Sequence, residues 1–311
     1  MLHSSGLGRI EDFSAPGDCP APHGHSPEYQ LVFPYAGAFE WHVGARTEFL
    51  DATRVLFVGA GEDYADRHVA DCGHDSIIIT PLLSLLQELC GHAVPSRHPA
   101  FQRIAKPTTP RMNMRNHRLL RLEASGDDPL ACDELMIALL GESLAPTPHV
   151  ARAAPLRVVD RAKQFLHACV CEPISLNEIA HAVQVSGAYL TESFTRSEGM
   201  PLCRYRMRLR LNRALVDLPR CDDITGLALD LGFSSHAHFS NAFKSLFGVS
   251  PSTFRAAAGQ PRHAVRIVDT GASTPGRPNP RRAFRPEESV SHAGFDSARW
   301  AALLQVREER A

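Results

Sequence analysis

Short apolar runs separated by turn residues characterise the first quarter of the chain. Between residues 31 and 80 the runs are LVFPYAGAFEWHVGA, RVLFVGAGEDY and DSIIITP. Val, Ile, Phe and Tyr in such runs, with Gly and Asp between them, are typical of β-strands joined by turns. The pattern predicts a β-meander, preceded by an irregular leader over residues 1–30, where Gly, Pro, Ser and His are frequent.

Helical periodicity replaces this pattern further along the chain. It predicts a helix from Leu82 to Gly91 and a helical hairpin within residues 113–144, whose two segments flank the turn SGDDP. Residues 156–258 are predicted to be almost entirely helical. One apolar series in the hairpin suits either a dimer interface or packing within the preceding domain. This series comprises Leu135, Leu139, Leu140 and Leu144.

Two further stretches lack a regular apolar pattern. The Pro- and Ala-rich segment LAPTPHVARAAP predicts a linker before the helical region. Residues 259–311 are rich in Pro, Arg and Ser, and between about residues 260 and 290 they offer too little apolar surface to offset the entropy of ordering. The sequence therefore predicts a disordered tail that ends in one weak helix.

The helical region contains an internal repeat. SLNEIAHAVQVSGAYLTESFTRSEGMP, which begins at Ser175, can be aligned with DITGLALDLGFSSHAHFSNAFKSLFGVSP, which begins at Asp223. Phe194 then falls on Phe243, and the period is 48 to 49 residues. Each unit predicts two short helices joined by a turn of about three or four residues, the arrangement of a helix-turn-helix.

Polar residues mark where these short helices are predicted to begin. Ser175 and Glu178 have the spacing of a capping box, and Asp223 can cap the corresponding helix of the second unit. The second helix of each unit is predicted to start at Ser186 or Ser234.

A row of phenylalanines lies in the second helix of the second unit. Phe239, Phe243 and Phe247 are four residues apart, so they fall on one side of a helix. We expect this side to face the core and the Ser, His, Asn and Lys residues to face outward. Gly232, in the preceding turn, can adopt a positive φ at little cost.

Charge and cysteine content narrow the functional classes only slightly. The 311 residues include 33 Lys and Arg against 34 Asp and Glu, so the net charge of −1 neither favours nor excludes a polyanionic partner. The eight Cys form no CxxC pair and follow no secretory signal pattern, which favours reduced thiols and a cytoplasmic location. No apolar run approaches the roughly 20 residues of a membrane-spanning helix, so no membrane partner is expected.

The motif order in residues 156–256 resembles a known family. RLNRALVDL, followed by ITGLALDLGFSSHAHFSNAFKSLFGVSPSTFR, is similar to the DNA-binding domain of the AraC/XylS transcription regulators. The resemblance implies two helix-turn-helix units that enter successive major grooves of double-stranded DNA, held by one long helix from Arg204 to Leu218. It further implies a regulator, by family habit an activator, that acts with RNA polymerase and is not an enzyme.

The resemblance also implies which side chains contact DNA. Outer residues near the N-terminus of each recognition helix are expected to contact base edges: these are Ala188, Tyr189, Glu192, Arg196, Ser235, His236, His238 and Asn241. Other polar groups, including backbone amides at the two predicted caps, are expected to contact phosphates: these are Ser186, Arg204, Arg206, Ser234 and Lys244.

The N-terminal half resembles the cupin-like β-barrel sensor common in this family. The resemblance implies a two-domain protein with an unknown small-molecule effector and association as a homodimer. The predicted boundaries are a leader over 1–30, a cupin-like domain over 31–110 with flanking helices over 111–148, an all-α DNA-binding domain over 149–258, and the tail over 259–311.

Two groups of potential metal ligands lie in the N-terminal half. One is His23, His25 and Glu28; the other is His68, Cys72 and His74 on a presumed hairpin. We interpret both groups as polar loop residues, so no metal or cofactor is predicted. An enzyme remains the alternative: a cupin metalloenzyme, or a DNA-repair protein with a reactive Cys, joined to the DNA-binding domain. A pure interaction protein is a third and weaker hypothesis.

Overall fold

A sheet-rich N-terminal region precedes a helical C-terminal region in the computed structural model. The structure describes residues 1–17, 23–69, 73–92, 95–125, 128–146 and 157–258. The strands are β1 His3–Ser5, β2 Gly8–Ala15, β3 His23–Ser26, β4 Gln30–Val43, β5 Arg46–Asp51, β6 Arg54–Val58, β7 Glu62–His68, β8 His74–Pro81 and β9 Ala105–Pro107. The strands predicted between residues 30 and 81 are therefore confirmed. They do not form the predicted meander, because within the described ranges β5, β6, β7 and β8 each pair with β4 and not with one another.

The long strand β4 belongs to two sheets. Its first half pairs with β6 and β8, and its second half pairs with β5 and β7, in every case antiparallel. The register shifts between Pro34 and Ala36, which marks a bulge where the strand changes partners. The sheet region therefore consists of two sheets that β4 joins. Alternate residues of β4 point to opposite sides.

The leader predicted to be irregular instead contributes three strands. β2 pairs with β8 over its whole length, from Gly8 opposite Pro81 to Ala15 opposite His74, and β3 pairs with β7. The prediction was wrong because GRIEDFSA carries few apolar side chains, of which Ile10 is fully buried. Main-chain hydrogen bonds to a neighbouring strand place this segment in the sheet, and such pairing leaves a weak local signal.

Three helices pack around the sheet: α1 Leu83–Leu89, α2 Pro110–Ser125 and α3 Pro129–Leu144. The apolar series of α3 is buried in the same cluster as the sheet residues Leu31, Phe33 and Ile79. Between the two interpretations of that series, the structure favours core packing. The Lys106 ammonium donates to the carbonyls of Glu142, Ser143 and Ala145 at 2.9–3.1 Å, and so satisfies the C-terminal end of α3.

Seven helices follow: α4 Arg157–Ala168, α5 Leu176–Ala182, α6 Gly187–Glu198, α7 Leu202–Asp217, α8 Ile224–Asp230, α9 His236–Phe247 and α10 Pro251–Ala257. They confirm the prediction of a helical region up to residue 258.

The sheet region and these helices lie in one compact unit, Met1–Gln260. No helix in the described ranges is long and apolar enough to cross a membrane. The predicted linker falls mostly, and the tail entirely, outside the described residues.

Candidate nucleic-acid interface

Two helix pairs with the same internal geometry flank α7. The first pair is α5 with α6, and the second is α8 with α9. Helix α8 begins 48 residues after α5, whereas α9 begins 49 residues after α6, and α6 and α9 are both 12 residues long. The repeat seen in the sequence is therefore a structural repeat in which the second turn is one residue longer.

Cap residues set where each helix begins. Ser175 and Glu178 form the predicted capping box, and the Asp223 carboxylate accepts from the amides of Thr225 and Gly226. Ser186 caps α6, as predicted, by accepting from the Tyr189 amide at 3.2 Å.

The residue that caps α9 differs from the prediction. Ser235, not Ser234, accepts from the His238 amide, at 3.1 Å, because the extra residue in the second turn moves the helix start by one position. The Ser234 hydroxyl instead lies 3.1 Å from His238 Nδ1. The amides at this helix end therefore belong to the Ser235 cap, and the Ser235 oxygen predicted to contact a base already accepts one of them.

The two turns reach the same backbone conformation with different residues. Gly232 has φ 77°, as predicted, and the equivalent Gln184 of the first pair has φ 61°. A Cβ on Gly232 would lie 2.2 Å from the Cys171 carbonyl oxygen and 2.6 Å from the Arg210 guanidinium. The second turn therefore requires glycine for space as well as for φ, whereas Gln184 is exposed.

The inner faces of the second helices are apolar, as predicted. Phe239 and Phe243 are fully buried, and Phe247 is partly buried against the same cluster. Leu190 and Phe194 take the equivalent buried positions in α6. The aromatic row of the sequence is therefore core, and it fixes which side of α9 faces outward.

The outward face of α6 carries all four of the predicted base-contacting residues of the first pair. Ala188, Tyr189, Glu192 and Arg196 are exposed. Arg196 donates to Glu192 one turn earlier, so this face presents a guanidinium and a carboxylate side by side. Such a pair can exchange its internal hydrogen bond for base or phosphate partners at small cost, because exposed ion pairs contribute little.

The outward face of α9 is polar but less charged. His236, His238, Asn241 and Lys244 are exposed. His236 Nε2 lies 3.4 Å from the Ser240 hydroxyl, and the His238 ring packs edge-on against Phe233. By the 49-residue register, Asn241 of α9 is equivalent to Glu192 of α6.

The long helix α7 confirms the predicted connection between the two pairs, although most of its arginines contact protein. Arg206 donates to the carbonyls of Val170 and Ile174, at 3.3 and 2.9 Å. Arg208 donates to the Thr108 carbonyl, and Arg210 donates to four carbonyls that include Val170 and Gly232. Arg204 is exposed. Arg206, which was predicted to contact phosphate, instead donates to main-chain carbonyls and stabilises the loop after α4.

Sequence comparison identifies this helical region. Residues 179–257 match the helix-turn-helix domain family, and similar curated proteins are named as HTH-type transcriptional regulators or activators. The C-terminal region of this chain is an AraC-type helix-turn-helix domain.

Two curated relatives are similar to part of this chain. The Msm operon regulatory protein of Streptococcus mutans is 30% identical over 126 residues, which are 39% of this chain and 44% of that protein. The HTH-type transcriptional activator RhaR of Pectobacterium carotovorum is 31% identical over 125 residues, 39% of this chain and 43% of that protein. The aligned part thus spans less than half of either relative.

Two solved structures are also similar. A transcriptional regulator with an AraC-type DNA-binding domain from Chromobacterium violaceum is 34% identical and covers 34% of this chain and 95% of its own, with a TM-score of 0.32. ToxT from Vibrio cholerae O395 is 11% identical and covers 81% of this chain and 98% of its own, with a TM-score of 0.34.

A buried carboxylate joins the AraC-type domain to the sheet region. Asp51, at the end of β5, accepts from His167 of α4 at 3.0 Å and from the Tyr205 hydroxyl of α7. It also accepts from the amide and hydroxyl of Thr53. Burial opposes ionisation of Asp51, but the hydrogen bond and charge of His167, with the charge of Lys163, hold its pKa well below the usual range.

A second buried ionic cluster lies at the C-terminal end of α6. Glu198, the last residue of α6, lies 2.6 Å from the Lys163 ammonium and 3.4 Å from the Arg54 guanidinium of β6. These three side chains are at most 5% exposed. Arg54 also pairs with Glu48 at 2.7 Å. The sheet region therefore contacts α6 through charges, while the proposed reading face of α6 remains exposed.

The two groups of potential metal ligands in the N-terminal half, predicted to be polar loop residues, lie mostly on strands. His25 Nδ1 lies 2.8 Å from Asp63, and Glu28 lies 2.6 Å from Arg9, so His23, His25 and Glu28 do not form a ligand set. His68 and His74 are buried strand residues, not loop residues. Cys72 lies outside the described residues.

Five of the six cysteines within the described ranges give little support to a reactive thiolate. Burial raises the pKa of the Cys90, Cys132, Cys171 and Cys221 thiols, and it raises the pKa of Cys169 to about 12. A nucleophilic Cys requires the opposite shift. The DNA-repair alternative is therefore disfavoured for these five residues.

Proposed function

We propose that this protein is a sequence-specific regulator of transcription in which each helix pair is a helix-turn-helix unit. Helices α6 and α9 enter successive major grooves of double-stranded DNA, and α7 holds them in register. One chain thereby reads two stretches of sequence that lie about one helical turn apart.

One observation carries the proposal. On both sides of α7, a serine-capped helix of the same length ends in a left-handed glycine, Gly199 or Gly248, and presents an exposed polar face opposite a buried apolar one. A helix in the major groove requires this combination, because its inner face must be fixed by the core while its outer side chains remain free to contact bases.

The exposed side chains have the chemistry of base recognition. Arg196 can donate two hydrogen bonds to guanine, Asn241 can pair with adenine, and Glu192 can accept from cytosine. Ala188, Tyr189, His236 and His238 complete the two reading faces. The phosphate contacts are Arg204, Ser234, Lys244 and the backbone amides at the caps Ser186 and Ser235.

The N-terminal region is, in the same proposal, a cupin-like sensor for a small-molecule effector. Two chains associate as a homodimer, and the DNA-bound protein contacts RNA polymerase and activates transcription. The buried contacts of Asp51 with α4 and α7, and of Arg54 on β6 with Glu198 of α6, support communication between the sensor and the AraC-type domain. An effector changes DNA affinity by no more than its differential affinity for the two states of the protein.

The first experiment is a selection of genomic fragments by the purified full-length chain at moderate salt. We expect one asymmetric motif with two blocks about one helical turn apart. Retention of fragments without any common sequence, with and without a cell extract as effector source, would contradict the proposed function.

Variants then test the reading faces on the selected site. Asn241→Ala and Arg196→Ala are each expected to weaken specific binding by about 1–3 kcal/mol, with little effect on random DNA. Lys244→Ala should weaken both and reduce the salt dependence. Gln102→Ala and Arg46→Ala, exposed positions in the sheet region, are the matched controls. If the reading-face variants bind like these controls, the assignment of base contacts is wrong.

A further inference from the structure

Three potential metal ligands meet where β4 passes between its two sheets. Asp66 and His68 lie two residues apart on β7, so both point to the same face, and His74 is the first residue of β8. Each lies opposite a residue of β4: Trp41 opposite Asp66, Phe39 opposite His68 and Gly37 opposite His74. The strand register, not the sequence spacing, brings the three side chains together.

The donor atoms are close to one another. One ligand atom from each of the three residues lies within 4.8 Å of the other two, and Asp66 Oδ2 is 3.5 Å from His74 Nε2. The two imidazole rings have centroids 5.6 Å apart and are tilted by 41°. Side-chain rotations that shorten these separations would place the donors at the roughly 2.0–2.2 Å of metal–nitrogen and metal–oxygen bonds.

The cluster is buried with polar atoms that lack partners. Asp66, His68 and His74 are only 4%, 7% and 3% exposed. Within the described part of the chain, Asp66 Oδ1, both ring nitrogens of His68 and His74 Nδ1 are buried without a hydrogen bond. A buried polar group without a partner costs about 1–3 kcal/mol, so four such atoms at one point require an explanation.

Aromatic rings and a close main-chain contact surround the cluster. The Phe39 ring stacks on the His74 ring with centroids 3.9 Å apart, and Phe13 lies 5.7 Å away. Gly37 has φ 69°, and a Cβ there would lie 1.9 Å from the Gly73 carbonyl oxygen. This glycine allows the segment that enters β8 to approach β4, and the approach sets the position of His74.

We propose that Asp66, His68 and His74 bind one divalent transition-metal ion. Two imidazole nitrogens and one carboxylate oxygen suit Zn²⁺, Fe²⁺ and Co²⁺, whereas Mg²⁺ and Ca²⁺ prefer oxygen ligands throughout. The ion satisfies the unpartnered ring nitrogens and the carboxylate at once. Three protein ligands leave at least one coordination position for water, a small-molecule donor or a further side chain.

The test uses full-length protein freed of metal with a chelator and titrated separately with Zn²⁺ and Co²⁺. We expect one equivalent to be retained through gel filtration, Co²⁺ d–d absorption, and a rise in the melting temperature with metal. X-ray absorption of the zinc form should show nitrogen and oxygen neighbours at about 2.0–2.1 Å with imidazole scattering. A sulfur neighbour at about 2.3 Å would add a cysteine to the three proposed ligands.

Conservative variants localise the site. Asp66→Asn, His68→Gln and His74→Gln should each weaken metal binding by at least about 100-fold, because loss of even an outer-shell partner costs 10- to 100-fold. His25→Gln and Asp63→Asn change an exposed pair of the same residue types, 2.8 Å apart on β3 and β7, and should leave affinity unchanged. Circular dichroism of each variant checks the fold.

Two results would overturn the proposal. One is failure of the folded wild-type protein to retain Zn²⁺, Co²⁺ or anaerobically added Fe²⁺. The other is retention with full affinity in all three folded variants, which would place the ion elsewhere. If a variant does not fold, the absorption spectrum of the wild-type zinc form decides: absence of imidazole neighbours contradicts the site.

Discussion

The two helix pairs have the same backbone geometry but are held in place by different contacts. The first pair ends at Glu198, whose carboxylate lies among buried cations from α4 and β6. The second pair rests on a cluster of phenylalanines, Phe233, Phe239, Phe243 and Phe254, whose neighbouring rings have centroids 5.1–5.7 Å apart. Equal geometry therefore does not mean equal dependence on the sheet region: the first pair is connected to the sheet by charged side chains, and the second is held mainly by apolar packing.

The largest expected effect is at the charged anchor. Glu198→Gln should lower the free energy of unfolding by about 3–5 kcal/mol, because removal of one partner leaves buried Lys163 and Arg54 without the carboxylate they share. The control is Glu192→Gln, six residues earlier in α6, where the pair with Arg196 is exposed and the loss should stay below about 1 kcal/mol. Equal losses in urea titrations would remove the proposed difference between the pairs.

The Asp51 contact should add a dependence on pH. Asp51→Asn is expected to cost about 2–4 kcal/mol at neutral pH, since a buried charged acceptor of several hydrogen bonds is lost. Because the pKa of Asp51 is held below its ordinary value of about 4, its stabilisation is complete above that value and disappears as the pH falls through the lower native pKa.

The gap in unfolding free energy between wild type and Asp51→Asn should therefore narrow below about pH 4. Urea titrations over a pH series measure this gap. Asp63→Asn is the control, because that side chain is 89% exposed. A gap that widens in acid would show that the carboxylate is not the stabilising form.

Exchange of the two turn residues tests whether the turns are equivalent. Gly232→Gln should cost at least about 2 kcal/mol, from the positive φ and from the approach to the Cys171 carbonyl. Gln184→Gly should change stability by less than about 1 kcal/mol, because relief at positive φ is offset by the entropy of glycine in the unfolded chain. Similar costs in thermal unfolding would mean that the close contact at Gly232 relaxes freely.

The smallest expected effect distinguishes two adjacent serines. Ser235→Ala should destabilise α9 by about 1 kcal/mol through loss of the cap to the His238 amide. Ser234→Ala should cost less than about 0.5 kcal/mol, since that hydroxyl is exposed and contacts a side chain. If Ser234→Ala lowered the free energy of unfolding more than Ser235→Ala, Ser234 would be the cap of α9.

Local signals predicted the AraC-type domain well. The capping box at Ser175, the cap at Ser186 and the Phe row of α9 are each defined by residues within one or two helical turns, so periodicity and cap chemistry suffice to find them. The cap at Ser235 was missed although the 49-residue shift that aligns Phe194 with Phe243 also aligns Ser186 with Ser235, because two adjacent serines give the same local cap signal. A turn one residue longer changes nothing in composition.

The sheet region depends more on distant partners. Strand β2 has a weak pattern of its own and becomes a strand through pairing with β8, whose partner residues lie 59 to 73 positions further along the chain. The side chains of Arg206 and Arg210, which in sequence resemble a DNA-facing basic series, are oriented by carbonyls of the loop after α4. A hydrogen-bond acceptor elsewhere in the chain decides such roles, and it leaves no mark beside the donor.

The sequence by itself determined the family of the C-terminal domain, the two repeated helix pairs and the outward face of each reading helix, because these follow from spacing along a single helix. The tertiary structure alone decided that Asp51 and Glu198 bridge the sheet to the helices, and that Asp66, His68 and His74 converge beside β4. The physical reason is that strand register and burial decide which side chains face one another. Asp51 and Glu198 contact residues far away in the sequence, whereas His68 and His74 are close in the sequence and are buried together because β7 and β8 both pair with β4.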